Sequence, residues 1–360
     1  MKAWRLEKLG GKLSLKEIPV PKTRAGSVLV KVENVSLVSY LRAYTEGKLS
    51  VYNPPGQEFT MGSNAIGHIE AVGKDIWHLK PGQCVVISSH ITARENVEDP
   101  AMILLGITRA GDAAIPVQQD WPDGTLAEYV LVPAETVTPL DGLDQFSAEQ
   151  IAGVTRLVVP YGGLLKGRLA QGETIIINGA TGSYGTAGVL LAVAMGAAKV
   201  IAAGRNEQTL TEIAKAGGNR VVTVKLSGDV QADSMALKKA AGGGAHIAFD
   251  QVGNAKDPNS TLAALYSLRR GGRLVLMGSM LVDLPIPYSM LMINSWEIIG
   301  NFMYPARVFA KMLDLVRCGL LDISPIKPKC FRFEQLNEAM DAAAEAGNFD
   351  NVLVNCSPEN

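Results

Sequence analysis

Thr174-Ile-Ile-Ile-Asn178-Gly179-Ala180-Thr181-Gly182-Ser183-Tyr184-Gly185 is the stretch that decides the fold. A short apolar run ends at Asn178, a glycine-rich turn follows, and a helical stretch from Ser183 to Met195 begins with no linker between. In such a turn Gly182 lets the backbone approach a pyrophosphate, and Gly185 lets the helix sit against a sheet. The helix N-terminus presents unpaired N–H groups and the positive end of the dipole to the anion. The strand–turn–helix setting, more than the glycines alone, makes the pattern informative. Ala180, Thr181, Gly182, Ser183 and Tyr184 are therefore candidate dinucleotide contacts.

The pattern around this turn alternates strand and helix. Lys199-Val-Ile-Ala-Ala203 reads as a second strand and Glu207 to Ala216 as a second helix. Arg220–Lys225, Ala245–Asp250, Gly272–Gly278 and Trp296–Gly300 bring the strands to six. Apolar strands alternating with helices predict a parallel sheet covered on both faces, an α/β doubly wound arrangement. In such a sheet, ligands bind outside the carboxyl ends of the strands. The ends Val252-Gly253, Gly278-Ser279-Met280 and Asn301-Phe302 are small enough, or close enough, to lie against a nicotinamide.

The second strand ends Ala203-Gly204-Arg205-Asn206, without the acid that usually binds the ribose hydroxyls of NADH. Arg205 could hold a 2′-phosphate, with Lys225 adding charge from the third strand. The reading favours NADPH over NADH. Asp250 reads as structural, because nothing positions it as an acid or a base.

Upstream, the first 135 residues are rich in short strands. Ser27–Glu33 and Gly67–Val72 alternate at period two, and Gly73-Lys74-Asp75 and Pro81-Gly82 mark turns. Strands with this punctuation predict a partly closed β-barrel. Ser147-Ala-Glu-Gln150 is a capping box that opens a helix. The tail carries helices from about Ala306 and from Phe333. Its closing strand, Asn351–Asn355, is expected to return to the first sheet.

Composition narrows the function. The chain has 360 residues and a net charge of −1, so nothing marks a nucleic-acid or anionic-membrane partner. The longest apolar stretch, Gly185 to Gly204, is interrupted at Met195–Lys199 and falls short of the roughly 20 continuous apolar residues of a membrane helix. Cys84, Cys318, Cys330 and Cys356 have no metal-like spacing, and no signal peptide is visible. Reduced thiols in the cytoplasm are the expectation.

The whole order resembles the medium-chain dehydrogenase/reductase superfamily. The matching segments include Gly62-Ser-Asn-Ala-Ile-Gly-His-Ile-Glu-Ala-Val-Gly73, Leu79–Val85, Gly124–Tyr129, Gly172–Gly182 and Phe333–Met340. The resemblance implies a GroES-like β-barrel catalytic domain (residues 1–155 and 306–360) and a Rossmann cofactor domain (residues 156–305). It also implies a homodimer or homotetramer. Zinc members carry ligands at places that hold Val38, Ser63, Asn64 and Thr155 here, and four structural cysteines in a lobe that has none here, at 90–123. None of the four offers what zinc prefers, so the expectation is a chain without zinc. Ser39-Tyr40-Leu41-Arg42 resembles a turn of the enone-reductase branch. The resulting expectation is NADPH-dependent hydride transfer to an enone, enal or quinone. A carbonyl or other C=X reductase and a non-catalytic NADPH sensor stand as alternatives.

Without a metal, developing negative charge needs hydrogen-bond donors. Tyr40 and Tyr52 are the first candidates, since a phenol both donates and stacks. Asn64 could bind substrate or organise water, and His90 could serve as an acid. His68, His78 and His246 read as structural. Segment 91–123 is either a lid over the substrate or a remnant of the zinc lobe.

Overall fold

The computed structural model describes residues 1–305 and 307–357. Strands β1 (Lys2–Leu6), β2 (Leu13–Glu17), β3 (Ser27–Ser36), β4 (Phe59–Thr60), β5 (Ala65–Val72) and β6 (Cys84–Ile87) open the barrel region. Strands β7 (His90–Thr92), β8 (Met102–Leu104), β9 (Thr108–Arg109), β10 (Tyr129–Pro133) and β11 (Val137–Pro139) complete its first half. The seven-stranded sheet runs β11-β6-β5-β3-β19-β18, with β10 also paired to β3; β18 is Lys327–Arg332 and β19 is Asp350–Asn355. The closing strand therefore returns as expected: β19 pairs antiparallel with β3 through Leu353–Ser36 and Val354–Val35.

Side chains alternate across these strands. Ala65, Ile69, Val85 and Ile87 fill the barrel interior with Val30, Val32 and Leu126. Ile66 and Val86 face outward, into a core shared with Leu140, Leu143 and Ile151. Ser147 and Gln150 close the capping box reciprocally, at 3.3 and 3.1 Å. Segment 91–123 is not a free lid. Its β7-β8-β9 sheet and the helix Ile115–Asp120 are built onto the barrel core, with Ile91, Ile103, Leu105 and Ile107 buried.

The second sheet has order β14-β13-β12-β15-β16-β17, every neighbour parallel. Its strands are β12 (Thr174–Asn178), β13 (Lys199–Gly204), β14 (Val221–Lys225), β15 (Ala245–Asp250), β16 (Leu268–Leu276) and β17 (Glu297–Gly300). All six predicted strands are present, with ends shifted by a few residues. The order reverses between β12 and β15, which makes the switch point where doubly wound sheets bind ligands. The helix Ser183–Ala194 is buried nearly all round, as its uniformly apolar Ala- and Leu-rich sequence requires. The expected tail-helix start at Ala306 lies outside the described residues, and the helix described there is Val308–Arg317.

Candidate active site

The glycine turn is stereochemically specified. Gly179 has φ +77°, a conformation that L side chains rarely adopt. A Cβ on Gly185 would stand 2.0 Å from the Gly179 carbonyl oxygen, so the helix can approach the strand only without one. Gly182 differs. Its φ is −83° and a Cβ there would meet nothing closer than 3.5 Å. The protein itself leaves that space open, in front of the helix N-terminus. Gly278 packs so tightly that a Cβ would lie 2.1 Å from the Val252 carbonyl oxygen, which joins the ends of β15 and β16.

Asp250 holds these strand ends together. It is buried, its Oδ1 accepts from Val252 N at 2.8 Å, and its Oδ2 accepts from Asn178 Nδ2 at 3.3 Å. Burial pushes its carboxyl pKa up. Just after β13, Arg205 is exposed. Asn206 caps the next helix by accepting from Thr209 N at 3.0 Å. Lys225 sits at the end of β14 but is paired to Glu207 at 3.0 Å. Asn301 turns inward to donate to the Met303 carbonyl, while Phe302 and Ser279 stay exposed.

Asn64 is the hub of a buried network on the barrel side. Its Oδ1 accepts from Ser89 N (2.8 Å), Ser89 Oγ (3.0 Å) and Tyr304 OH (3.3 Å), and its Nδ2 donates to the Thr155 carbonyl (3.0 Å). Most of the amide's capacity is thus used within the protein. Tyr304 OH also lies 2.8 Å from Ser88 Oγ, and His90 packs edge-on against the Tyr304 ring at 5.3 Å. Burial lowers the His90 pKa to about 4, so its ring is neutral near pH 7. Its Nε2 is buried without a hydrogen-bond partner among the described residues.

Tyr40 and Tyr52 stack with ring centroids 5.6 Å apart, and Tyr44 meets Tyr52 edge-on at 5.5 Å. Burial raises the Tyr40 pKa, and the neighbouring Tyr52 and Tyr184 phenols raise it further. Burial raises Tyr52 as well and pushes Tyr184 up to about 12. All three phenols keep their protons at neutral pH. Tyr40, Tyr44 and Tyr52 thus form one aromatic group on the barrel side.

Sequence reasoning missed Arg156. Its buried guanidinium donates to the carbonyls of Ser183 (2.6 Å), Asn348 (2.6 Å) and Asp350 (2.9 Å), tying the glycine turn to the returning tail. Burial lowers its pKa to about 10, opposed by the neighbouring Tyr184 hydroxyl and Asp350 carboxylate. Its position near the end of a buried run was the only signal, and nothing local distinguishes it from a surface arginine. Ser88, Ser89 and Tyr304 were missed for the same reason: three separated segments bring them together. Of the three histidines read as structural, His246 fits that reading, since its Nδ1 accepts from Thr174 N at 3.1 Å.

His68 does not. Glu33, His68 and Cys84 bring their ligand atoms within 4.8 Å of one another, the one such group found among the described residues. At the positions compared in the sequence, Val38 is apolar, Ser63 Oγ donates to the Ser36 carbonyl, and Thr155 Oγ1 donates to the Ala152 carbonyl at 2.7 Å. With Asn64 engaged as above, these residues do not fit a metal centre.

Residues 24–142 match the alcohol dehydrogenase GroES-like domain, and residues 184–317 match the zinc-binding dehydrogenase family. The NAD-dependent alcohol dehydrogenase of Sulfurisphaera tokodaii is 27% identical over 348 residues, 95% of this chain and 96% of that one. Sorbitol dehydrogenase of Bacillus subtilis is 25% identical, over 93% of this chain and 92% of its own. A protein of Rhizobium meliloti named "Putative D-xylulose reductase" is 30% identical over 96% of each chain. Among solved structures, an NAD-dependent alcohol dehydrogenase superposes with a TM-score of 0.81 at 20% identity, covering 99% of this chain and 100% of its own.

These findings correct two expectations. The relatives are alcohol and polyol dehydrogenases, so the quinone or enone reductase reading falls. The zinc-binding dehydrogenase match and the Glu33–His68–Cys84 group overturn the expected absence of zinc. The physical reason is that linear spacing does not reveal ligands gathered by adjacent strands. The chain belongs to the medium-chain dehydrogenase/reductase superfamily and is an NAD(P)-dependent oxidoreductase.

Proposed function

We propose that this enzyme interconverts an alcohol and a carbonyl compound. The observation that carries the reading is near-full-length likeness to alcohol, sorbitol and threonine dehydrogenases, whose named substrates share a hydroxyl-bearing carbon. Oxidation removes a hydride from that carbon and a proton from its oxygen, and reduction returns both. A bound nicotinamide dinucleotide supplies the hydride acceptor or donor.

In this reading residues 156–305 form the dinucleotide-binding domain, and residues 1–155 with 306–360 form the catalytic domain. The pyrophosphate lies over Ala180–Tyr184, at the N-terminus of the helix Ser183–Ala194. The nicotinamide lies against Val252-Gly253, Gly278-Ser279-Met280 and Asn301-Phe302. Gly204, Arg205 and Asn206 border the adenosine ribose, with Lys225 farther out in its ion pair. Arg205→Ala then weakens binding of the 2′-phosphorylated dinucleotide more than that of the unphosphorylated one; equal weakening in titrations of both would remove this role.

Tyr40 and Tyr52 wall the substrate side, their protonated phenols donating to the substrate oxygen. The Asn64 network holds the barrel loops behind them in one arrangement. A reducing compartment such as the cytoplasm suits the four free thiols, and among the described residues no helix is long and apolar enough to cross a membrane. A second copy of the chain suits the edge strand β17 and the adjoining apolar surface, where Leu281 is 82%, Tyr288 80% and Ile293 62% exposed.

The test is a panel of secondary alcohols, polyols and their ketones with both dinucleotides, followed by the absorbance of the reduced nicotinamide. Turnover of at least one alcohol–ketone pair is expected. Turnover confined to enones or quinones would refute the proposal.

A further inference from the structure

Glu33, His68 and Cys84 lie on three neighbouring strands of the barrel sheet. His68 of β5 stands directly opposite Cys84 of β6 on one side and Lys31 of β3 on the other. Glu33 falls at the irregularity in the β3–β5 register between Val32 and Asn34, where the strand carries an extra residue. Such a bulge re-aims a side chain. Ile69 and Val85, which alternate with His68 and Cys84, point into the barrel core. His68 and Cys84 therefore face out, on the side of Ile66 and Val86.

The three ligand atoms lie within 4.8 Å of one another, and His68 Nδ1 is 3.4 Å from Glu33 Oε1. A tetrahedral zinc ion with ligand bonds of about 2.0–2.3 Å separates its ligand atoms by about 3.3–3.8 Å. Small rotamer adjustments close that gap, because backbone pairing already fixes the three strands. We propose that Glu33, His68 and Cys84 form a binding site for a zinc-like divalent transition-metal ion on the outer face of the barrel, clipping β3, β5 and β6 together.

The donor set is one sulfur, one imidazole nitrogen and one carboxylate oxygen. It suits zinc or cobalt, and it excludes magnesium and calcium, which take oxygen. The group borders an open cavity lined by Lys31, Glu70, Pro81, Gly82 and Ser357, which leaves room for water as a fourth ligand. The site shares no residue with the glycine turn or the Asn64 network, so it is independent of the proposed substrate.

Cobalt(II) titration of the reduced, chelator-treated full chain tests this. One equivalent is expected to bind, with a thiolate-to-cobalt charge-transfer absorption and a rise in melting temperature. Cys84→Ser should abolish the absorption, and Glu33→Gln and His68→Gln should each weaken binding at least tenfold. Cys330→Ser, at an exposed free thiol, should leave it intact. Absence of the absorption in the parent chain, or its survival in Cys84→Ser, overturns the proposal. Circular dichroism and dinucleotide affinity, expected to be unchanged, confirm that each variant is folded. Alcohol turnover is measured separately, so this proposal and the functional one can fail independently.

Discussion

Gly182→Ala and Gly185→Ala separate the binding role of the glycine turn from its packing role. At Gly182 the backbone φ of −83° suits alanine, and the new Cβ meets nothing closer than the Gly179 oxygen at 3.5 Å, an ordinary contact. The fold should lose no more than about 0.5 kcal/mol, the range of a neutral surface change. The methyl group does occupy the space in front of the helix N-terminus where the pyrophosphate is placed. Net hydrogen bonds to charged groups are worth about 1.5–3 kcal/mol, so losing one phosphate contact costs tenfold or more in affinity. At Gly185 the Cβ would lie 2.0 Å from a backbone oxygen, more than 1 Å inside contact distance, so the helix or strand must move. Overpacking of this kind costs about 1–3 kcal/mol. Thermal melts and dinucleotide titrations on both variants provide the assay. Gly182→Ala should melt like the parent and bind at least tenfold more weakly, whereas Gly185→Ala should melt lower. A Gly182→Ala protein that binds the dinucleotide with parental affinity would refute the placement of the pyrophosphate.

Arg156→Met leaves three partly buried carbonyls without their donor and should cost about 3 kcal/mol, since charged hydrogen bonds are worth about 1.5–3 kcal/mol each before the relief of burying the guanidinium; a parental melting temperature would show that the tie between turn and tail carries no stability. The His90 pKa is lowered from 6.5 to about 4 in the folded chain, so the unfolded chain binds more protons between those values. Stability should fall as pH drops from about 6.5 and be lower by about 3 kcal/mol below pH 4, and melts of His90→Phe across this range should lack that component. Leu281→Asp with Ile293→Asp should convert a dimer to a monomer in light scattering at unchanged activity per folded chain; a parent that is already monomeric would dismiss the edge-strand association.

Much of the dinucleotide half was legible because its information is local. The run Thr174–Gly185 specifies strand, turn and helix through apolar continuity and through Gly179 and Gly185, whose backbone and packing disfavour any side chain. The returning tail strand was legible from its short apolar pattern. The substrate half was less so, because its polar groups are assembled over distance. Asn64 meets Ser89 and Tyr304 from 25 and 240 residues away, and no window of sequence contains that network. Tyr40 and Tyr52 were chosen because a phenol both donates and stacks, yet their stacking on each other belongs to the folded chain.

The sequence by itself determined the two-part architecture, the location of the glycine turn and the lack of an acid after β13. Each follows from the periodicity or stereochemistry of a short segment. Only the tertiary structure decided that His90 is buried and neutral, that Arg156 locks turn to tail, and that Glu33, His68 and Cys84 share one face. Burial and cross-strand register set those outcomes, and both arise from the pairing of β3, β5, β6 and β19 and from packing between distant segments.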